Sequence, residues 1–135
     1  MTELSSYDRI RYDRQIRLFD WGEEGQIKVK SARVFIAGAG GLGSPVSLYL
    51  AAAGVGEIHI CDADNVELSN LNRQILHTDE RIGELKADSA AKTLHNQNPA
   101  IRVRAYPEYL TAKKAIPGNV EDTFLVGSFA IHVNF

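Results

Sequence analysis

Cysteine is nearly missing from this 135-residue chain, with Cys61 its single example. A lone thiol excludes an internal disulfide framework and a multi-cysteine zinc site. An excess of either charge is missing too: 15 Lys and Arg face 17 Asp and Glu, for a net charge of -2. Without a polybasic stripe, neither nucleic acid nor an anionic membrane is expected as the main partner. No apolar run approaches the ~18 residues of a membrane span, and Met1 to Arg17 is polar and charged, with no apolar signal-peptide region. What remains, 44% hydrophobic and 24% charged, is an ordinary soluble composition. A cytoplasmic protein is expected, with a single domain over residues 1–135.

Residues 1–30 read as a helical segment. Tyr7, Ile10, Arg14 and Arg17 fall near one face, Ile16, Phe19 and Ile27 serve as apolar anchors, and Trp21-Gly22 and Gly25 punctuate the run. Arg33–Ala37 is short, mostly apolar and ends in glycine, as a parallel strand buried on both faces would. Ser44–Ala53 reads as a helix with Pro45 in its first turn, where a missing N–H costs little. Its near-absence of polar residues predicts deep cover, and Gly54 and Gly56 stop it. Glu57–Cys61 is the second strand and Asp62–Asn72 a functional loop. The next helix runs from Gly83 to Gln97, with Ala87, Ala90, Ala91 and Leu94 at helical spacing and Asn96, Asn98 and Pro99 at its end. Ile101–Ala105 alternates as an edge or half-exposed strand, Thr111–Asp122 is a connection, and Phe124–Val126 is a fourth strand. The βαβαβ order over residues 33–105 predicts a Rossmann-like, doubly wound, mostly parallel α/β sheet, with a divergent end over 111–135.

Gly38-x-Gly40-x-x-Gly43 follows a predicted strand and opens a predicted helix, the context that gives this pattern meaning. Gly38 allows the tight turn, Gly40 and Gly41 let backbone amides approach phosphate oxygens, and Gly43 lets the helix close on the strand. The helix start adds unpaired N–H groups and the positive end of its dipole. Asp62 ends the second strand about 20 residues further on, where a carboxylate accepts from ribose hydroxyls or simply caps the following turn. Asp64 is as readily a solvated loop acid. To this point NAD and ATP are equally served. Ser69, Asn70 and Asn72 then flank the apolar Leu71, Arg73 brings a planar fork suited to phosphate, and Lys86 opens the next helix. Amides and cations beside a glycine loop stabilise charge developing at an α-phosphate and favour ATP over a nicotinamide. Cys61 and His59 read as packing within an apolar strand, and His77, His95 and His132 as isolated, so no metal constellation is visible.

Tyr12-Asp-Arg-Gln-Ile-Arg-Leu-Phe19, Gly38-Ala-Gly-Gly-Leu-Gly-Ser44, Tyr49-Leu-Ala-Ala-Ala-Gly-Val-Gly56 and Asp62-Ala-Asp-Asn-Val-Glu-Leu-Ser-Asn-Leu-Asn-Arg-Gln74 resemble successive blocks of the ThiF/MoeB family. These ubiquitin-activating-type enzymes adenylate the C-terminal glycine of a ubiquitin-like sulfur carrier, in molybdopterin or thiamin biosynthesis. The resemblance covers about residues 7 to 100. It implies MgATP as the nucleotide, Gly41 and its loop at the phosphates, Asp62 at the ribose, and Asn70, Arg73 and Lys86 around the triphosphate. It also implies a homodimer, or a heterodimer with a family subunit, in which Arg14 enters the neighbouring site.

The sequence departs from the family in three places. Asp20 stands where glycine usually follows the Leu-Phe pair. The family's fourth strand ends in an aspartate-rich turn that helps hold magnesium, whereas Phe124 to Phe135 carries no acid and Glu121 and Asp122 precede the strand. Family cysteines for zinc and for the acceptor thiol would fall beyond Phe135, so the C-terminal part of the family fold is expected to be missing. Two other readings stand beside adenylation: a non-catalytic module that binds nucleotide or a partner subunit, and, on the glycine pattern and Asp62 alone, an NAD-dependent oxidoreductase.

Overall fold

The computed structural model describes residues 3–109, 123–126 and 129–134. The connection expected over Thr111–Asp122, with Glu121 and Asp122, lies outside them. Helices α1 (Ser6–Arg11), α2 (Asp13–Ile16) and α3 (Gly22–Ser31) precede strand β1 (Arg33–Ala37). Then come α4 (Gly43–Ala53), β2 (Glu57–Cys61), α5 (Lys86–Gln97) and β3 (Arg102–Tyr106), followed by β4 (Thr123–Val126) and β5 (Phe129–Asn134). The sheet order is β3-β2-β1-β5-β4. β1, β2 and β3 are parallel, with Val34 beside Ile58 and Ile58 beside Val103. These three strands with their connecting helices make the Rossmann-like layer. The fourth strand does not lie beside β1. That place is taken by β5, antiparallel to β1, and β4 pairs antiparallel with β5.

Strand alternation decides the layer's two faces. Val34, Ile36, Ile58 and Ile60 point into one core with Ala51, Ala90 and Leu94 from the helices. On the other face Phe35, His59 and Tyr106 stack, His59 and Tyr106 with ring centroids 5.7 Å apart. That face is only half covered, so β1 is not the doubly buried strand its apolar run suggested.

Helix α4 also departs from expectation. Gly43, Ser47 and Ala51, four residues apart, face inward, while Tyr49 is 77% exposed. Small side chains let the helix axis approach its neighbours, and the serine hydroxyls are satisfied locally: Ser44 Oγ donates to the Gly40 carbonyl and Ser47 Oγ to the Ser44 carbonyl. In the N-terminal segment Phe19 is 93% exposed rather than an anchor; Leu4 and Tyr12 are buried instead. Gly25 sits inside α3. Asp20 adopts φ 62°, the left-handed region where glycine is at home and Asp is among the tolerated residues, which accounts for the exchange at this position.

The segment is held by polar groups that the apolar pattern does not reveal. Asn98, fully buried, donates to the Tyr12 hydroxyl at 2.7 Å and the Ala51 carbonyl at 2.8 Å, joining α2, α4 and the end of α5. Buried Gln26 donates to the Ala53 carbonyl and accepts from Gln15 Nε2. Asn98→Ala should leave the buried Tyr12 hydroxyl without its described partner and the Ala51 carbonyl with the Gly54 N–H alone, at a cost of about 1–3 kcal/mol. A lower urea midpoint measures that loss.

Candidate nucleotide site

The glycine loop leaves β1 at its carboxyl end. Gly38 has φ 111°, which favours glycine, and its N–H donates to the Cys61 carbonyl at 2.8 Å, pinning the turn to β2. At Gly43 a Cβ would stand 2.0 Å from the Gly38 carbonyl oxygen, so α4 can start this close only as glycine. No described residue accepts the N–H of Gly40, Gly41 or Leu42. Three successive open amides at a helix start form a concavity suited to an anion.

Asp62 is buried, and both of its oxygens already accept backbone amides. Oδ2 takes Ala39 N–H at 2.9 Å and Oδ1 takes Asp64 N–H at 2.8 Å. It therefore ties the glycine loop to the loop after β2, and its remaining lone pairs are what a ribose hydroxyl would use. Asp64 is exposed; its carbonyl accepts the Lys86 N–H at 2.9 Å and its carboxylate accepts the Tyr109 hydroxyl, a bond that raises the phenol's pKa.

Within the Asp62–Asn72 loop, Leu68–Asn70 forms a short 3₁₀ turn. Asn70 Oδ1 accepts the Glu67 N–H at 2.9 Å, so Asn70 caps this turn. Arg73 Nη1 donates to the Ser69 carbonyl at 3.2 Å and to Asn72 Oδ1 at 3.0 Å. Its stem passes 3.6 Å from where a Cβ on Gly41 would stand. Ser69 and Asn72 thus aim Arg73 at the glycine loop, while Leu71 is partly exposed beside them.

Lys86 opens α5, which starts three residues later than the helical spacing suggested. The residue is 7% exposed, and its side chain makes no hydrogen bond or ion pair with any described residue. The stem is covered while the ammonium keeps contact with solvent, from which an anion can reach it. Its charge reaches His77 and helps depress that residue's pKa. Gly38 to Gly43, Asp62, Asp64, Arg73 and Lys86 therefore converge at the carboxyl ends of β1 and β2. Arg14 does not join them within one chain: it is 88% exposed in its side chain, 3.6 Å from Asp13.

Three further residues of this region escaped the sequence pattern. Gln74 is buried against Gly40, and its Oε1 has no partner among the described residues. His77, read as isolated, is buried and hydrogen-bonded to the glycine loop, Nε2 to the Ala39 carbonyl at 2.8 Å. Ser89 of α5 meets its other nitrogen, also at 2.8 Å. The sequence carries no clear signal of them: exposed Ile75 lies between buried Gln74 and Leu76, and polar His77 is buried beside Leu76. Among the described residues no three His, Cys, Asp or Glu side chains are grouped to hold a metal ion, and no helix is long and apolar enough to cross a membrane.

A parallel three-strand layer with a glycine loop at the end of its first strand and open amides at the following helix defines a Rossmann-like domain. The chain belongs to the ThiF family, whose profile matches residues 12–126. The sulfur carrier protein adenylyltransferase of Thermus thermophilus is 52% identical over 106 residues, spanning 78% of this chain and 39% of that protein. The adenylyltransferase and sulfurtransferase MOCS3 of Culex quinquefasciatus is 49% identical over 116 residues, or 86% of this chain and 26% of that protein. The chain thus spans between a quarter and two fifths of these relatives. Among solved structures, E. coli MccB with ATP superposes with a TM-score of 0.69 at 33% identity, covering 78% of this chain and 32% of that one. PaaA superposes with a TM-score of 0.76 at 35% identity, covering 82% of this chain and 36% of that one.

Proposed function

We propose that this chain binds ATP across its glycine loop and serves the adenylation of a protein carboxylate, the C-terminal glycine of a ubiquitin-like sulfur carrier. The observation that carries the reading is Lys86, whose stem is covered and whose ammonium makes no hydrogen bond or ion pair with a described residue, beside Asp64 in the loop that Asp62 ties to the open amides of the glycine loop. The amides of Gly40 and Gly41 take phosphate oxygens and Asp62 takes a ribose hydroxyl. Arg73, aimed by Ser69 and Asn72, and Lys86 stabilise the charge growing on the α-phosphate. Asn70 fixes the turn from which Arg73 projects, with Leu71 partly exposed in the same turn. A carrier carboxylate oxygen attacks the α-phosphorus, the bond to the bridging oxygen breaks, and pyrophosphate leaves an acyl-adenylate. No enzyme group is covalently engaged, so positioning and electrostatics supply the acceleration. Magnesium travels with the ATP phosphates and needs few protein ligands.

The names of the relatives support this reading over an NAD-dependent oxidoreductase. Exposed Arg14 lies on a segment that also exposes Ile10, Leu18 and Phe19, a surface suited to a second family subunit. A cytoplasmic setting accords with ATP as the substrate. The test is ATP–pyrophosphate exchange driven by a carrier protein ending in glycine. Exchange that needs the carrier and falls about 100-fold or more in Arg73→Ala supports adenylation. ATP binding without any exchange overturns it and leaves a nucleotide-binding partner subunit.

A further inference from the structure

His77 sits between the two halves of the site without being one of its phosphate or ribose ligands. It is 5% exposed and follows the segment that carries Arg73. The Ala39 carbonyl can only accept, so the Nε2 facing it at 2.8 Å carries the ring proton. In the neutral ring Nδ1 is then an acceptor and takes the Ser89 hydroxyl at 2.8 Å. Arg81 fixes the direction of that hydroxyl: its Nη1 donates to the Ser89 carbonyl at 2.9 Å and approaches Ser89 Oγ at 3.4 Å, leaving the hydroxyl proton to point at His77. On the far side of Ala39, the N–H donates to Asp62 Oδ2 at 2.9 Å. The Ala39 residue is thus gripped at both ends, and the next amides in the chain are those of Gly40 and Gly41.

We propose that His77 is a positioning residue of the nucleotide site: it fixes the Ala39 carbonyl so that the Gly40 and Gly41 amides face the phosphates, and it ties that loop through Ser89 to α5, where Lys86 stands. The inference rests on the ATP reading above. A chain of hydrogen bonds running one way, Arg81 to Ser89 to His77 to the Ala39 carbonyl, ends on the peptide group that carries the Gly40 N–H, and each bond polarises the next. The role requires a neutral imidazole. Three charged groups face the ring: Asp62 from the loop after β2, Lys86 from α5, and Arg81 from the turn before α5. Burial is the largest influence, and with the two cations it outweighs Asp62 and the Ala39 carbonyl to hold the pKa below the ordinary histidine value.

The test uses the intact chain in two arms. In the nucleotide-free protein, the Gly40 and Gly41 amide resonances should shift in Ser89→Ala and His77→Ala. They should return towards wild type in His77→Gln, whose terminal NH₂ reaches the place of Nε2. Ring nitrogen spectra should show the neutral Nε2–H form persisting at the ordinary histidine pKa of 6.5. By calorimetry, His77→Ala should bind ATP about 10-fold more weakly, Ser89→Ala a few-fold more weakly, and His77→Gln within about 3-fold of wild type. Ser89→Ala keeps the inference testable if His77→Ala does not fold. Unmoved amide resonances in both alanine variants overturn it, as does ATP affinity unchanged by variants in which those amides have moved. A wild-type chain that fails to bind ATP sinks the adenylation reading, while the amide arm still decides whether His77 sets the loop.

Discussion

Lys86→Met is expected to abolish tight ATP binding and, at the same time, to make the nucleotide-free chain more stable. The two effects share one cause. The residue is 7% exposed and its ammonium has no described partner, so the nucleotide-free protein confines a long side chain and part of its hydration shell with no hydrogen bond or ion pair in return. Methionine fills a similar volume without the charge, and relieving the mismatch should raise stability by about 0.5–2 kcal/mol, in the range of substitutions at strained functional positions. The phosphates lose a charge-assisted hydrogen bond, about 2–3 kcal/mol, or on the order of 100-fold in affinity. Thermal unfolding and calorimetry on the same preparation read both signs. A structural lysine would give the opposite stability result, because methionine would then remove a contact the fold uses.

Gly43→Ala should be one of the two most damaging single methyls among the described glycines, with Gly56, whose Cβ would stand 1.8 Å from the Lys30 carbonyl oxygen. The new Cβ would sit 2.0 Å from the Gly38 carbonyl oxygen, and both groups belong to the backbone, so no side chain can swing away. Either α4 retreats from the loop or the turn at Gly38 opens, and either movement disturbs the core under α4. A loss of about 3 kcal/mol or more is expected, the upper end for overpacking, together with ATP binding. Gly41→Ala is the control. Its Cβ would meet the Arg73 stem at 3.6 Å, an ordinary contact, so urea unfolding should barely change. Its ATP affinity should still fall about 10-fold, because the methyl stands where phosphate approaches Arg73. Similar losses in both variants would mean that Gly43 has room the structure does not show.

The contrast between these glycines marks how far the sequence could be read. Gly38, Gly43 and Asp62 were legible because backbone geometry admits few residues at a strand-to-helix turn. The order of β1, α4, β2, α5 and β3 was legible because apolar runs and glycine stops punctuate it. Apolar content misled where small residues do the packing: α4 turns Gly43, Ser47 and Ala51 inward and leaves Tyr49 outside. Phe19, expected as an anchor, is exposed and Tyr12 is buried for a related reason, since Tyr12 has a buried partner in Asn98 and hydrophobicity alone does not record it. His77 looked isolated because its partners, Ala39 and Ser89, lie 38 and 12 residues away, and one of them is a main-chain carbonyl with no side-chain signature. The antiparallel placement of β5 beside β1 left no mark in the local pattern, because pairing direction is settled between strands rather than within one.

The most direct measurement is a calorimetric titration of this chain with ATP and magnesium, with NAD titrated in parallel. Saturable binding of ATP, weakened in Arg73→Ala and absent for NAD, is the predicted result. No ATP binding, or NAD binding as tightly as ATP, would contradict the assignment of Lys86, Arg73 and the glycine loop to a triphosphate.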